Sequence, residues 1–233
     1  MRLRDSAQSM FAADHALTSL LIKRRYRDVP LPAILVSVQL MEFVWVILNY
    51  AGVERTVVEP VVRSVADIHL AYMPYSHSIA TAIAMAALCW AGLAWAGRAS
   101  MAPAVGLGIL SHLVLDLATH APDIALAPGS TLSFGSGLYE RAPLVALILE
   151  AAYGVFCVWV FVHGPDGPSQ PRRRGLYAFA IAGNLLNVSI LSASVPGPEA
   201  LLGGRPLAAV TLVAAQIVVT LWLVWALASR RPA

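Results

Sequence analysis

His112, Asp116 and His120 recur at intervals of four residues in SHLVLDLATHAPD (111–123), inside a run that is otherwise apolar. On an α-helix, residues i and i+4 differ by about 40° in direction and about 6 Å in height, so His112 and Asp116 lie one above the other on one face. An imidazole and a carboxylate at that spacing can share one divalent ion, as paired ligands at i and i+4 do in helical zinc sites. By the same rise His120 stands about 12 Å above His112, which assigns it to a second ion, a substrate or solvent, apart from the first ion. Other acid and imidazole groups fall in or beside apolar runs: His15, Glu42, His77 and Glu150, with Asp67, His69 and Asp123 in flanking loops. Ionisable groups at bilayer depth are costly, so such residues face a bundle interior or a cavity, and a functional role is the default reading.

Each group also has a plainer role. Glu150 and His15 can serve as helix-to-helix hydrogen-bond partners, and His112 with Asp116 can satisfy one another without an ion. His69, His120 and Asp123 near the interface can be solvated. Gln39 with Glu42, and Asn184 with Asn187, are i, i+3 pairs that can couple neighbouring helices.

The elements that must position these groups are membrane helices. Of 233 residues 58% are hydrophobic and 12% charged, and the mean hydropathy is +0.70, well outside the range of a soluble domain. A hydrocarbon core of about 30 Å takes about 20 apolar residues as helix. Six long runs fit, at about 31–52, 77–97, 103–120, 142–163, 175–195 and 207–228, and a shorter, more polar one at about 6–22 is a span, a re-entrant piece or a surface helix. The expectation is therefore an all-α, polytopic transmembrane bundle of six long spans and a short amino-terminal helix, forming one integral membrane domain over 1–233. Cys89 and Cys157 sit in apolar runs and read as small buried hydrophobes. The net charge of +3 comes largely from arginines at the ends of runs and is a topology signal, which argues against a nucleic-acid partner. Lys23 to Arg27, Arg98, Arg172 to Arg174, and Arg230 with Arg231 fall on one side of six alternating spans. The positive-inside rule makes that side cytoplasmic, with the carboxyl terminus. His77, Asp116 and His120 then belong to the outer half of the bilayer.

PYSHS (74–78) opening a helix, with GILSHLVLDLATHAPD (108–123) some thirty residues later, resembles the small bacterial inner-membrane proteins known as membrane-bound metal-dependent hydrolases. In that resemblance ADHALTSLLIKRR supplies His15, SHS supplies His77, and SHLVLD supplies His112 and Asp116. It covers roughly residues 10–163, and the last two runs, 175–228, add no motif. Many members carry a Pro-Asp-x-Asp-His motif after the first helix; the corresponding stretch here is VQLMEFVW, with Glu42 as its acidic group. The resemblance implies a metal, zinc above all, held by His77, His112, Asp116 and His15, with Glu42 as general base and a lipid-like ester or phosphoester as substrate in the bilayer. The alternative is a transporter or an ion- or ligand-binding membrane protein that uses the same His and Asp cluster without catalysis.

Overall fold

The computed structural model describes residues 12–58, 68–165, 167–185 and 205–229. Along them run α1 (Ala12–Arg25), α2 (Leu31–Val38), α3 (Leu40–Tyr50), α4 (Ile79–Trp95), α5 (Ala102–Thr119), α6 (Leu138–Arg141), α7 (Pro143–Val162), α8 (Gln170–Leu185) and α9 (Pro206–Ala228). The protein is mostly helical, but the loops carry two small antiparallel pairs that an all-α reading lacks. β1 (Arg55–Val58) pairs with β2 (Ile68–Tyr72), and β3 (Ile124–Ala125) with β4 (Ser133–Phe134).

Leu88, Trp95, Val114, Leu144, Ile148 and Trp222 are exposed, whereas Asp14, His15, Glu42, His112, Asp116 and Glu150 are buried. An apolar exterior around a polar interior is the distribution a bilayer selects, since lipid can satisfy no polar group. Among the described residues, three helices are long and apolar enough to cross a membrane: the stretch Ala99–Thr119 containing α5, then α7 and α9. The pair α2 and α3, bent by 54°, is a broken fourth span or a re-entrant loop.

The expectation of six long spans is corrected accordingly. The run 31–52 breaks at Gln39, where φ −118 and ψ 10 leave the helix. The run 77–97 keeps 17 residues as α4, about 25 Å of helix, because the chain up to Ser78 is spent in a turn. Of the run 175–195, residues 175–185 lie in α8, which starts among Gln170 and Arg172 to Arg174; residues 186–195, with Asn187, lie outside the described residues.

The polar amino-terminal run becomes the hub. Residues 6–11 lie outside the described part, and the 14 described residues of α1 make about 21 Å of helix. Ala16, Leu17 and Leu20 are buried against Leu31 and Leu35 of α2, Cys157, Val158 and Phe161 of α7, Leu176 and Ala180 of α8, and Val224 of α9. Cys157 is thus a core residue, and both cysteines are free thiols. Within lipid, helices associate through close packing and internal hydrogen bonds. At Gly154 of α7 an added Cβ would come within 2.8 Å of Asp14 Oδ1 and 3.1 Å of Leu17, so the missing side chain sets the α1–α7 approach. Thr18 Oγ1 donates to the Asp14 carbonyl at 2.8 Å and lies 2.8 Å from Tyr153 Oη.

Basic residues gather at one end. Lys23 Nζ donates to the Val29 carbonyl at 2.8 Å, Arg172 donates to the Ser229 carbonyl at the end of α9, and Met101 before α5 packs with Tyr26, Ile22 and Val29. From that end α5 runs the length of the bundle, so His112, Asp116 and His120 arrive at the other.

Candidate metal centre

α5 supplies the first pair. His112 Nε2 lies 3.2 Å from Asp116 Oδ2, both side chains buried. Gly108, one turn before His112, lets α5 press on α2: a Cβ there would fall 2.0 Å from Ser37 Oγ and 2.9 Å from Ser37 Cβ. That approach brings His112 Nδ1 to 2.9 Å from the carbonyl of Val38, the last residue of α2, whose carbonyl has no place in the helical ladder. A carbonyl only accepts, so Nδ1 carries a proton and donates, and the ring turns Nε2 to the interior.

His77 is oriented by the loop before α4. Its Nδ1 lies 2.8 Å from Ser76 Oγ, and Ser76 Oγ donates to Glu54 Oε2 at 2.6 Å. With the serine proton committed to the carboxylate, Oγ is left to accept from Nδ1–H, which again turns a bare Nε2 inward. Glu54 is itself buried and fixed by the backbone N–H groups of Tyr75 and Ser76, each at 2.8 Å to Oε1. Ser78 then caps α4, its Oγ accepting from Thr81 N–H at 3.3 Å, which ends the turn immediately after His77.

The third imidazole corrects a reading based on rise alone. The α-helix stops at Thr119, and His120, with ψ 153, is its cap; the ring folds back until Nε2 is 3.9 Å from Asp116 Oδ1. Its Nδ1 is 3.3 Å from Asp123 Oδ1, a carboxylate behind an imidazole as at His77. The cap is held by the β3–β4 hairpin: Gly137 N–H donates to the His120 carbonyl at 2.6 Å. Gly135, at φ +150, passes so close that a Cβ would meet the Ala121 carbonyl at 2.0 Å.

α1 adds His15, whose Nε2 is 3.2 Å from Asp116 Oδ1 and whose ring stacks on His112 at 4.0 Å between centroids. α3, one turn past the break at Gln39, adds Glu42, with Oε1 3.4 Å from His77 Nε2 and 3.8 Å from His112 Nε2. His77 Nε2 is also 4.0 Å from Asp116 Oδ2.

Four imidazole nitrogens and two carboxylates thus converge. His15, His77, His112 and His120 all have Nε2 buried without a hydrogen bond, as is Asp116 Oδ1. A buried unmet polar atom costs about 1–3 kcal/mol, so five at one point call for an occupant. The donor set fits a divalent cation. Metal bonds of about 2.0–2.1 Å in tetrahedral array place ligand atoms about 3.3 Å apart, and the closest spacings here are 3.2, 3.2 and 3.4 Å. His15, His112 and Asp116 form one triad with metal-ligand spacing, and Glu42, His77 and His112 another. Beside them lies a void of about 10 Å³ lined by Ser76, His77, Ser78, His112, Asp116 and Ile124, room for something the size of a water molecule.

The remaining candidates lie elsewhere. Glu150 is buried away from this cluster and accepts a hydrogen bond from Tyr139 Oη. His69 is in β2, in register with Val57, and Asp67 lies outside the described residues. Glu54 and Ser76 did not stand out as functional in the sequence, where Glu54 reads as one loop charge among several. The available signal was Ser76 next to His77, a hydroxyl within reach of Nδ1. The sequence matches no protein-family model, and neither a curated protein nor a solved structure matches it.

Proposed function

We propose that this chain is a membrane-embedded metal-dependent hydrolase, with zinc as its ion, acting on a lipid-like ester or phosphoester from the extracytoplasmic side of a bacterial inner membrane. The observation that carries the reading is the convergence of four buried Nε2 atoms, none with a hydrogen bond, around Asp116. Imidazole-rich sets with a carboxylate suit zinc among the abundant divalent metals. The motifs SHS and SHLVLD, on which the resemblance to membrane-bound metal-dependent hydrolases rests, supply three of these ligands. Basic residues at the opposite end of the bundle support a cytoplasmic position for that end and for the carboxyl terminus.

When bound, a divalent cation supplies Lewis acidity, polarising a carbonyl or phosphoryl oxygen and lowering the pKa of water to about 7. The chain's own residues do the rest. His77, His112 and Asp116 hold the ion, and Ser76 and the Val38 carbonyl keep two rings in the ligating tautomer. Glu42 retains 9% side-chain exposure against 2% or less for the other members, which makes it the least enclosed group of the cluster. It takes the proton of the attacking water as the water oxygen bonds to the carbonyl carbon or phosphorus, and that proton then leaves with the departing alkoxide.

One observation favours a second reading, an ion-binding or transport protein: the void at the cluster is about 10 Å³, too small for an organic substrate unless the β3–β4 hairpin lifts. The test is zinc, manganese and iron per chain in protein purified without chelator, for the wild type, His112→Ala and Asp116→Ala, with turnover of lipid esters and phosphoesters. Bound metal with turnover that Glu42→Gln removes while keeping the metal is the expected result. Metal without turnover selects the second reading, and a metal-free wild type removes both.

A further inference from the structure

The cluster offers more ligand atoms than one ion can use, and they divide in two around a single carboxylate. Asp116 Oδ2 faces His112 Nε2 at 3.2 Å and His77 Nε2 at 4.0 Å. Asp116 Oδ1 faces His15 Nε2 at 3.2 Å and His120 Nε2 at 3.9 Å. We propose that the centre holds two divalent ions bridged by Asp116, one bound by His77, His112 and Oδ2, the other by His15, His120 and Oδ1. This inference rests on the metal-centre reading above and deepens it.

The stacking of His15 on His112 is the geometric reason. An imidazole binds a metal in its own ring plane, about 2.0–2.1 Å beyond the nitrogen. These two rings are tilted by only 21° with centroids 4.0 Å apart, so their planes stay apart over the reach of a metal bond. One ion cannot lie in both, whereas two ions about 3.5–4 Å apart, the usual spacing of a two-metal site, can lie one in each. Each ion then has three protein ligands and an open position, the pattern of catalytic rather than structural sites.

Charge and orientation follow the same division. Glu54 stands behind His77 through Ser76, and Asp123 behind His120, so each half has its own carboxylate backing an imidazole, as metal-ligating histidines commonly do. Glu42, Asp116, Glu54 and Asp123 together carry the negative charge that two divalent cations neutralise. A single ion held by His77, His112 and Asp116 would leave the Nε2 atoms of His15 and His120 turned to Asp116 without a metal bond.

The experiment is metal counting with Zn²⁺ and Mn²⁺ on the full chain in detergent, with electron paramagnetic resonance of the Mn²⁺ form. About two ions per wild-type chain and a spin-coupled Mn²⁺ spectrum are expected. The double variant His15→Ala with His120→Ala should retain about one ion and show the uncoupled spectrum of an isolated Mn²⁺. About one ion per wild-type chain with an uncoupled spectrum overturns the bridged pair and leaves the single-ion reading standing. No ion in the wild type overturns both. The wild-type count and spectrum decide the matter even if the double variant fails to fold.

Discussion

Asp14 and His15 are neighbours in the chain, and each belongs to a different buried polar cluster. His15 enters the histidine cluster around Asp116, while Asp14 joins Asn184 of α8 at 3.5 Å on the α7 side, where Glu150 and Tyr139 also meet. Both clusters are buried, both cross several helices, and both contain acids that hydrocarbon would reject. They differ in where donors point. On the Glu150 side a donor reaches one oxygen of each acid, Tyr139 Oη to Glu150 and Asn184 Nδ2 to Asp14, with Asn184 also donating to the Ala180 carbonyl, while Asp14 Oδ2, Glu150 Oε2 and Asn184 Oδ1 stay unmet. Burial first, and then the Glu150 carboxylate beside it, hold the Tyr139 phenol well above its ordinary value, so that donor stays protonated. On the Asp116 side, each orienting contact faces outward from the ring's Nδ1 to Val38, Ser76 or Asp123, and the Nε2 atoms meet a carboxylate with nothing to give it. Burial and acidity are thus common to structural glue and to a metal centre, and the direction in which donors point separates them.

Substitutions can break that contrast. Removing a ligand has the largest effect: His112→Ala or Asp116→Ala should weaken zinc binding more than about 100-fold, beyond what loss of an orienting partner causes, as read by competition with a chelating dye. Taking away an orienting group comes next. Glu54→Gln leaves all ligands in place but no longer holds the Ser76 proton as a carboxylate does, and should cost about 10- to 100-fold in metal affinity. An unchanged affinity would detach Glu54 from the site. Gly108→Ala acts through packing. The overfilled α2–α5 contact should lower stability by about 1–3 kcal/mol and loosen the metal, whereas Gly106→Ala, whose nearest neighbour is Trp90 at 3.5 Å, should do neither. On the other cluster, Tyr139→Phe strips Glu150 of its donor and should cost about 1–3 kcal/mol of stability with the metal content untouched. Glu150→Gln is the mildest, under about 1 kcal/mol. A change of metal content in either of the last two would erase the distinction drawn between the clusters.

Helical period made the His112–Asp116 pair legible, since side chains four apart on a helix have no choice but to share a face. Apolar length found α5, α7 and α9 to within a residue or two. What escaped was set by breaks. Gln39 interrupts a run whose hydrophobicity hides it, because a lone glutamine is no helix breaker and the bend is decided by tertiary contact. The distance of His120 from Asp116 was overestimated because the rise was continued through the end of the helix; Pro122 disfavours helical geometry at Ala121 and was the warning. Glu54 is brought to Ser76 across 22 residues by a strand pair, which no local pattern announces. The hub role of α1 was equally hidden, since a short polar helix in an apolar protein is compatible with the surface and with the centre alike.

That hub has a consequence for biogenesis. α1 is polar for a membrane helix, and much of its packing is against α7, α8 and α9, which leave the ribosome long after it. α1 is therefore committed only when α9 has been inserted. His15 can reach Asp116 no earlier than that, so a chain interrupted during synthesis would carry the SHLVLD motif without a finished centre around it.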